Sequence, residues 1–556
     1  MKKILLSFTL IPLCTNMFGN DTIIIKNNLF GIDKSKKMVV VNQNINEINT
    51  QWLQEKDAIY LNELYKIEPS ATNVQTGIGY QITNTQGDTY TLYFSQLPLV
   101  FLTVTDSIVY ESKVPAKFTI IESNSNTVAS DISIRIRGGS TRFLFSKKSY
   151  KIVFKTDASL QNNKDVRLLG MRSDNDWHLH AMPNEPLRMN EKTSFDIWRK
   201  INTLYYQSSE REAINSCRMK YAELFLNGEY QGVYCVSEPV DRKQLKLIKY
   251  DTKNGIRGEL YKSSGWGPTT FTSCPPYNNN SLWWVNNSGY GYESIYPNEV
   301  NPDWKNLYDF VYFVMYSSDE NFYSQYQNYF NADNAIDYFI FMNLSRAEDN
   351  TGNNLFVAKY DKAGPYFYVP WDVDGTFGNG WDGIKRDITN DILSNGFYDR
   401  LMKDHVDNNF KQRLKTKWNQ LKKDWLTVQN LMDLFSENYD YLLQNGVYER
   451  EEITWKDSDN YHFDSQYMDY LEQWITKRLE FLDIESNNLV AIQKVEKNNM
   501  QCPCDVQIYD TNGQLIKTMY LTNPEDKALY SNLNKGIYIV RIKNPDVEEA
   551  KKLIVW

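Results

Sequence analysis

The sequence predicts an α+β protein of several domains, and three observations carry that reading. Up to about residue 236 apolar and polar residues alternate in short runs bounded by turn residues, the period of strands. From 302 onward apolar residues recur at helical spacing. Residues 498–556 return to strand runs. A chain of 556 residues also exceeds what one hydrophobic core serves, so two to four domains are expected.

Residues 21–95 hold runs such as Thr22-Ile23-Ile24-Ile25 and Thr89-Tyr90-Thr91-Leu92-Tyr93-Phe94, and predict an N-terminal β-domain. Strands continue through Leu97–Val104, Ala116–Ile121, Ile132–Arg137 and Tyr150–Lys155, with Gly138-Gly139-Ser140-Thr141 following the third. A helix is predicted from near Pro186, a residue suited to the first helical position, to about Leu204. Phe195, Trp198 and Ile201 mark its apolar face. A hairpin of Met219–Phe225 and Tyr230–Val236 turns at Asn227-Gly228. Helices are predicted over 303–317, over 333–346 and through 389–485. A linker at 486–497 leads to a C-terminal β-sandwich over 498–556, with strands at Asp505–Asp510, Gly536–Ile542 and Lys551–Val555.

Composition narrows the function classes. Aromatic residues make up 14% and charged residues 23%, which excludes a disordered chain. A net charge of −8 gives no electrostatic footprint for nucleic acid and disfavours anionic membranes. Met1-Lys2-Lys3, the apolar run Ile4–Leu13 and small and polar residues to Asn20 read as a secretory signal peptide over 1–20. No later segment approaches the length of a transmembrane helix. Cys14 follows Ile11-Pro12-Leu13, which lacks the small residues of a lipid-attachment box. The two-residue turn places Cys217 and Cys235 on opposite faces of the hairpin, so no disulfide is expected there. Cys502 and Cys504 are too close in an extended strand to bond comfortably. His178 and His180 flank Leu179, but only His405 and His462 remain elsewhere, so a histidine metal site is not expected.

Two acidic clusters carry the chemistry: Asp349-Asn350-Thr351-Gly352-Asn353-Asn354 and Asp372-Val373-Asp374-Gly375. Phosphoryl transfer needs one carboxylate to orient the attacking hydroxyl and further oxygens to hold the metal that neutralises the phosphates. The spacing from Asp349 to Asn354 matches a protein-kinase catalytic loop, with Asn353 as an alternative ligand. Asp372, with Asp374 beside it, then ends the next strand where a kinase places its main metal-binding aspartate.

Six blocks in order resemble the CotH family of secreted, kinase-like proteins: Arg137-Gly138-Gly139-Ser140-Thr141, Lys147-Lys148-Ser149-Tyr150, Asp176-Trp177, Leu224–Tyr234, Glu238 and Pro370–Asp374. The resemblance runs from about Leu97 to Asp483 and assigns a kinase-like domain to 96–485. It implies an atypical, two-lobed protein-kinase fold that takes ATP with Mg²⁺ or Mn²⁺ and phosphorylates Ser or Thr of proteins. By that resemblance Asp349 is the catalytic-loop aspartate, and Asn353, Asn354, Asp372 and Asp374 are metal ligands. Arg137, Gly138, Gly139 and Ser140 cover the phosphates, which Lys148 or Lys151 contacts. Glu191 partners that lysine, and Glu238 lies near the lobe junction. Residues 498–556 resemble the sorting domain of type IX secretion in Gram-negative bacteria, through Ile508-Tyr509-Asp510, Asn512-Gly513 and Gly536-Ile537-Tyr538. That implies the secretion machinery as a partner and a secreted or outer-surface destination.

Two rival readings stand beside this one. Asp372-Val373-Asp374-Gly375-Thr376 also fits the nucleophile motif of haloacid-dehalogenase-like phosphatases, which need a parallel sheet around it. The chain also lacks the repeated glycines of ordinary kinases, and Arg346-Ala347-Glu348 stands where they carry His-Arg before the aspartate. An inactive kinase fold used as a surface or adhesive protein would tolerate both departures. The aromatic residues Trp283, Trp284, Tyr290 and Tyr292 suggest packing, or a loop that binds glycan or peptide.

Overall fold

The computed structural model describes residues 22–26, 28–51, 55–71, 73–124, 126–297, 302–403, 405, 407–458, 463–497, 503–510, 513–522, 533, 536–543 and 548–555. The expected signal peptide, Cys14, Cys502, His462 and Asn512 lie outside these residues. The architecture is α+β.

Strands between Thr22 and Phe94 build one seven-stranded sheet, and the short helix Ile45–Gln51 falls within the same stretch of chain. A barrel then closes from Leu99–Thr103, Val114–Ile121, Thr127–Arg137, Ser149–Lys155, Asp176–His180, Met219–Leu226 and Glu229–Ser237. Closure leaves this sheet no free edge. Alternation along each strand fills the interior, with Ile132, Ile134, Ile152, Phe154, Trp177, Leu179 and Tyr234 packed inside. The same alternation sends Arg135, Arg137, Lys151, His178 and His180 to the outer face on three adjacent strands. Arg137, His178 and His180 of that face pack against Trp371, the residue that precedes Asp372 of the cleft described below.

A five-stranded sheet of Glu259–Ser264, Trp283–Val285, Gly291–Tyr296, Leu355–Lys359 and Tyr366–Pro370 follows, antiparallel at every pairing. It shares one large core with the helices Asn190–Ile201, Lys305–Tyr316, Asp319–Tyr329, Ala332–Ser345, Phe410–Asp424, Val428–Gln444 and Tyr467–Lys497. Trp284 and Tyr292 belong to that core, whereas Trp283 and Tyr290 are exposed. Helix Val447–Trp455 fastens this unit to the barrel. Its Arg450 pairs with Glu223 at 2.8 Å, both fully buried, and its Glu451 meets Lys147 at 2.6 Å and Arg188 at 3.1 Å. Glu449 accepts from the Tyr93 hydroxyl at 2.9 Å, so the same helix also holds the N-terminal sheet.

Several sequence expectations need correction. The helix predicted from Pro186 begins at Asn190, because Arg188 takes a left-handed conformation (φ 56°) that a right-handed helix does not pass through. Helix Asp319–Tyr329, between two predicted ones, has no counterpart in the sequence expectations. A bulge at Leu224/Phe225 shifts the hairpin register and sets Tyr221 opposite Cys235, so the opposite-face argument for the cysteines fails. Both thiols are nonetheless free and buried. The stretch expected as a linker, 486–497, continues the helix Tyr467–Lys497. In the C-terminal segment the described residues form a single four-stranded antiparallel sheet, not the two sheets of a sandwich.

Candidate functional site

Helix Ala332–Ser345 ends on Arg346 in the left-handed region (φ 50°), and a single turn, Asp349–Thr351, follows. Buried Asn350 staples this turn to the strand end. Its Nδ2 donates to the carbonyls of Asn354 at 2.6 Å and Trp371 at 3.0 Å, while the Trp371 amide donates to the Asn354 carbonyl at 3.1 Å. Asn354 and Asp372 both sit in the left-handed region (φ 49° and 54°), which Asn and Asp tolerate better than most residues. Positive φ at two such neighbouring points is the kind of strain that collects at functional sites. Asn350→Ala is expected to remove both side-chain bonds and strip the buried Trp371 carbonyl of its donor. The cost should be about 1–3 kcal/mol, read as a lower thermal midpoint.

The result is one cleft of about 300 Å³ lined by Arg346, Glu348, Asp349, Asp372, Asp374 and Trp381 among others. Asn354 Nδ2 lies 3.5 Å from Asp349 Oδ2. Asn353 is engaged elsewhere, its Oδ1 accepting from the Gly265 amide at 2.9 Å. Asp374 accepts from Asn184 Nδ2 at 2.8 Å, and that same amide reaches the Trp381 carbonyl at 3.1 Å.

Charge is concentrated here. Burial, then the Asp372 and Glu348 charges, push the Asp349 carboxyl upward. Burial, then Asp372, Glu191 and Glu185, push Asp374 well above the carboxylate range, against one hydrogen bond from Asn184. Glu191 rises to about 8 through burial and Asp372, with Arg137 opposing. Glu185 rises to about 8 through burial and Glu191. These acids therefore feel one another, and a divalent cation would relieve them.

Among the described residues no group of three His, Cys, Asp or Glu stands ready as a metal cage. Mg²⁺ in phosphoryl-transfer sites takes one or two carboxylates plus substrate phosphates, not such a cage. The buried Glu191 Oε1 has no hydrogen-bond partner. Asp372 and Asp374, both on the cleft, are oxygen donors of the kind a hard divalent cation takes.

The other predicted residues divide. Arg137 stacks over the ring of Trp371, the residue immediately before Asp372, at 5.3 Å, and its Nη1 reaches His180 Nε2 at 3.2 Å. Gly138 (φ 114°) lets the chain turn from the barrel towards Ser140, which precedes the short helix Thr141–Leu144. Gly139 has open space where a Cβ would stand. Lys148 is turned to the carbonyls of Arg142, at 2.6 Å, and Phe145. Lys151 pairs with Asp176 at 2.8 Å. Glu191 is joined to His180 at 2.8 Å, so neither lysine holds it. Glu238 is spent in a bridge to Arg218 at 2.5 Å and accepts from the Arg172 amide at 2.8 Å.

Sequence reasoning misses His180, Asn184, Glu185 and Trp371 as site residues. A signal for His180 is present: in Asp176-Trp177-His178-Leu179-His180 both histidines share the face opposite the buried Trp177 and Leu179.

No curated protein matches the chain. Residues 483–556 match the family described as secretion system C-terminal sorting domain, which supports secretion or surface display by the type IX route. No helix among the described residues is long and apolar enough to cross a membrane. Residues 134–482, from the third barrel strand to the helix Tyr467–Lys497, match the family described as CotH kinase protein. Since that match spans more than half of the 556 residues, the chain belongs to the CotH kinase protein family.

Proposed function

We propose that this protein is a secreted kinase that transfers the γ-phosphoryl group of ATP to Ser or Thr hydroxyls of exported or surface proteins in a Gram-negative bacterium. The observation that carries the reading is the convergence of Asp349, Asp372 and Asp374 on one cleft. In support of two lobes, the barrel interior and the helical unit pack as separate cores. Trp371 of the second unit meets Arg137, His178 and His180 of the first.

On this reading Asp349 accepts a hydrogen bond from the acceptor hydroxyl and aligns its oxygen with the γ-phosphorus. Burial and the neighbouring acids make it more basic than a free aspartate, which suits that task. Asn354 steadies its carboxylate. Arg137, a cation stacked on Trp371, the residue that precedes Asp372, would meet phosphate oxygens. Mg²⁺ or Mn²⁺, held by Asp372 with Asp374 or Asn354, would supply neutralisation of phosphate charge. A haloacid-dehalogenase-like reading loses support, since the strand before Asp372 belongs to an antiparallel sheet.

The test is label transfer from γ-labelled ATP with Mn²⁺ or Mg²⁺, comparing the chain without its sorting domain with Asp372→Ala. Transfer that vanishes in the variant is expected. Nucleotide binding without transfer to any acceptor would favour an inactive kinase fold serving as a surface protein.

A further inference from the structure

In ordinary protein kinases a lysine on a strand pairs with a glutamate on a helix, and that pair must be in place for transfer. Glu191 occupies such a helix here, yet neither Lys148 nor Lys151 reaches it. His180 does. The imidazole is 2% exposed and Glu191 is 3% exposed, so the contact is sheltered from water.

The hydrogen-bond roles follow from donor chemistry. Arg137 Nη1 lies 3.2 Å from Nε2 and 3.4 Å from Nδ1 of the ring. A guanidinium only donates, so with Nδ1 engaged by Glu191 the ring nitrogen left to accept from Arg137 is Nε2. The ring proton then sits on Nδ1, which donates to Glu191 Oε2 at 2.8 Å. Burial, then Arg137, keeps the ring neutral, in keeping with this tautomer. Glu191 Oε1 remains buried without a hydrogen-bond partner, within the field of Asp372.

We infer that His180 is a positioning residue, which fixes Arg137 over Trp371 and holds Glu191 with one oxygen uncommitted beside Asp372. The relay Arg137–His180–Glu191 thus replaces the lysine–glutamate pair. It ties the barrel to the helix Asn190–Ile201, so that the cationic and acidic sides of the site move together. This inference rests on the kinase reading above.

The experiment compares the full chain with His180→Phe, which keeps a ring and removes both hydrogen bonds, and His180→Gln, which keeps one donor and one acceptor. KM for ATP and kcat are measured separately, the Kd for Mn–ATP is measured by calorimetry, and thermal midpoints are recorded. His180→Phe is expected to raise KM and Kd by at least about tenfold, and His180→Gln to stay within about threefold of the parent. If His180→Phe melts early, His180→Asn decides, because it keeps a donor near the Nδ1 position and gives up Arg137. It too should raise KM and Kd. Parent-like constants in His180→Phe, or in a stably folded His180→Asn, would overturn the inference while the kinase reading stood. A parent that binds Mn–ATP without transferring label would defeat the kinase reading, and the Kd ratio would then decide the inference. A parent that neither binds nor transfers would overturn both.

Discussion

Glu451→Ala is expected to destabilise the protein by about 3–5 kcal/mol, because it strands two buried cations. Lys147 Nζ lies 2.6 Å from Glu451 Oε1, Arg188 Nε lies 3.1 Å from Oε2, and the Val233 amide donates to Oε1 at 2.7 Å. All three charged groups are buried. Burial alone would raise the Glu451 carboxyl, but Lys147 and Arg188 outweigh it and hold the group below its ordinary value. Burial, reinforced by Arg188, already brings Lys147 down to about 8 against the pull of Glu451. Without the carboxylate, Lys147 would shed its proton or the local structure would open. The packing around the carboxylate is close: Gly232 takes φ 86°, and a Cβ there would collide with Glu451. By contrast Lys151→Ala breaks a partly exposed pair with Asp176 and should cost about 0–1 kcal/mol. Scanning calorimetry checks both. A Glu451→Ala midpoint equal to the parent's would show that this network is not what clamps the barrel to the helix Val447–Trp455.

How much of this is legible in the sequence depends on the range of the interaction. The barrel strands are readable because inside and outside residues alternate over short runs, as in Ile132-Ser133-Ile134-Arg135-Ile136-Arg137. The hairpin is readable from Asn227-Gly228, but its register is not, because the bulge at Leu224/Phe225 has no local signature. The start of the helix Asn190–Ile201 escapes the sequence because Pro186 gives a start signal that other contacts override. Arg188 is drawn into a turn by the carbonyls of Met182, Pro183 and Glu185 and by Glu451. At the site, Asp349 and Asp372 announce themselves through spacing, and the cleft gathers both. The partner of Glu191 does not, since choosing between lysine and histidine requires knowing which strand faces the helix. Lys147 and Glu451 illustrate the limit: 304 residues separate them, and neither has a local motif.

Asp372→Ala should lower transfer by at least about 10³-fold and Asp349→Asn by about 10²–10⁴-fold, yet through different steps. Asp372 follows directly on Trp371 and raises Asp349, Asp374 and Glu191 together, so its removal takes one metal-binding carboxylate out of the cleft and lets the remaining acids ionise more readily. Cation-dependent nucleotide binding should therefore weaken along with turnover. Asp349 opens the turn after the helix Ala332–Ser345 and is secured by the Asn353 amide, which donates to its carbonyl at 2.8 Å. Asparagine there keeps the shape and loses the basic oxygen. The expected signature is a kcat that falls while the Kd for Mn–ATP stays within about threefold of the parent. Steady-state kinetics and calorimetry on the two variants separate these effects. The reverse pattern, weak nucleotide binding in Asp349→Asn and intact binding in Asp372→Ala, would exchange the two roles. Equal turnover in both variants and the parent would remove the cleft from catalysis. Asp349 precedes Asn350 and Asp372 follows Trp371, whose carbonyl Asn350 holds, and a site built there cannot lose both acids without consequence.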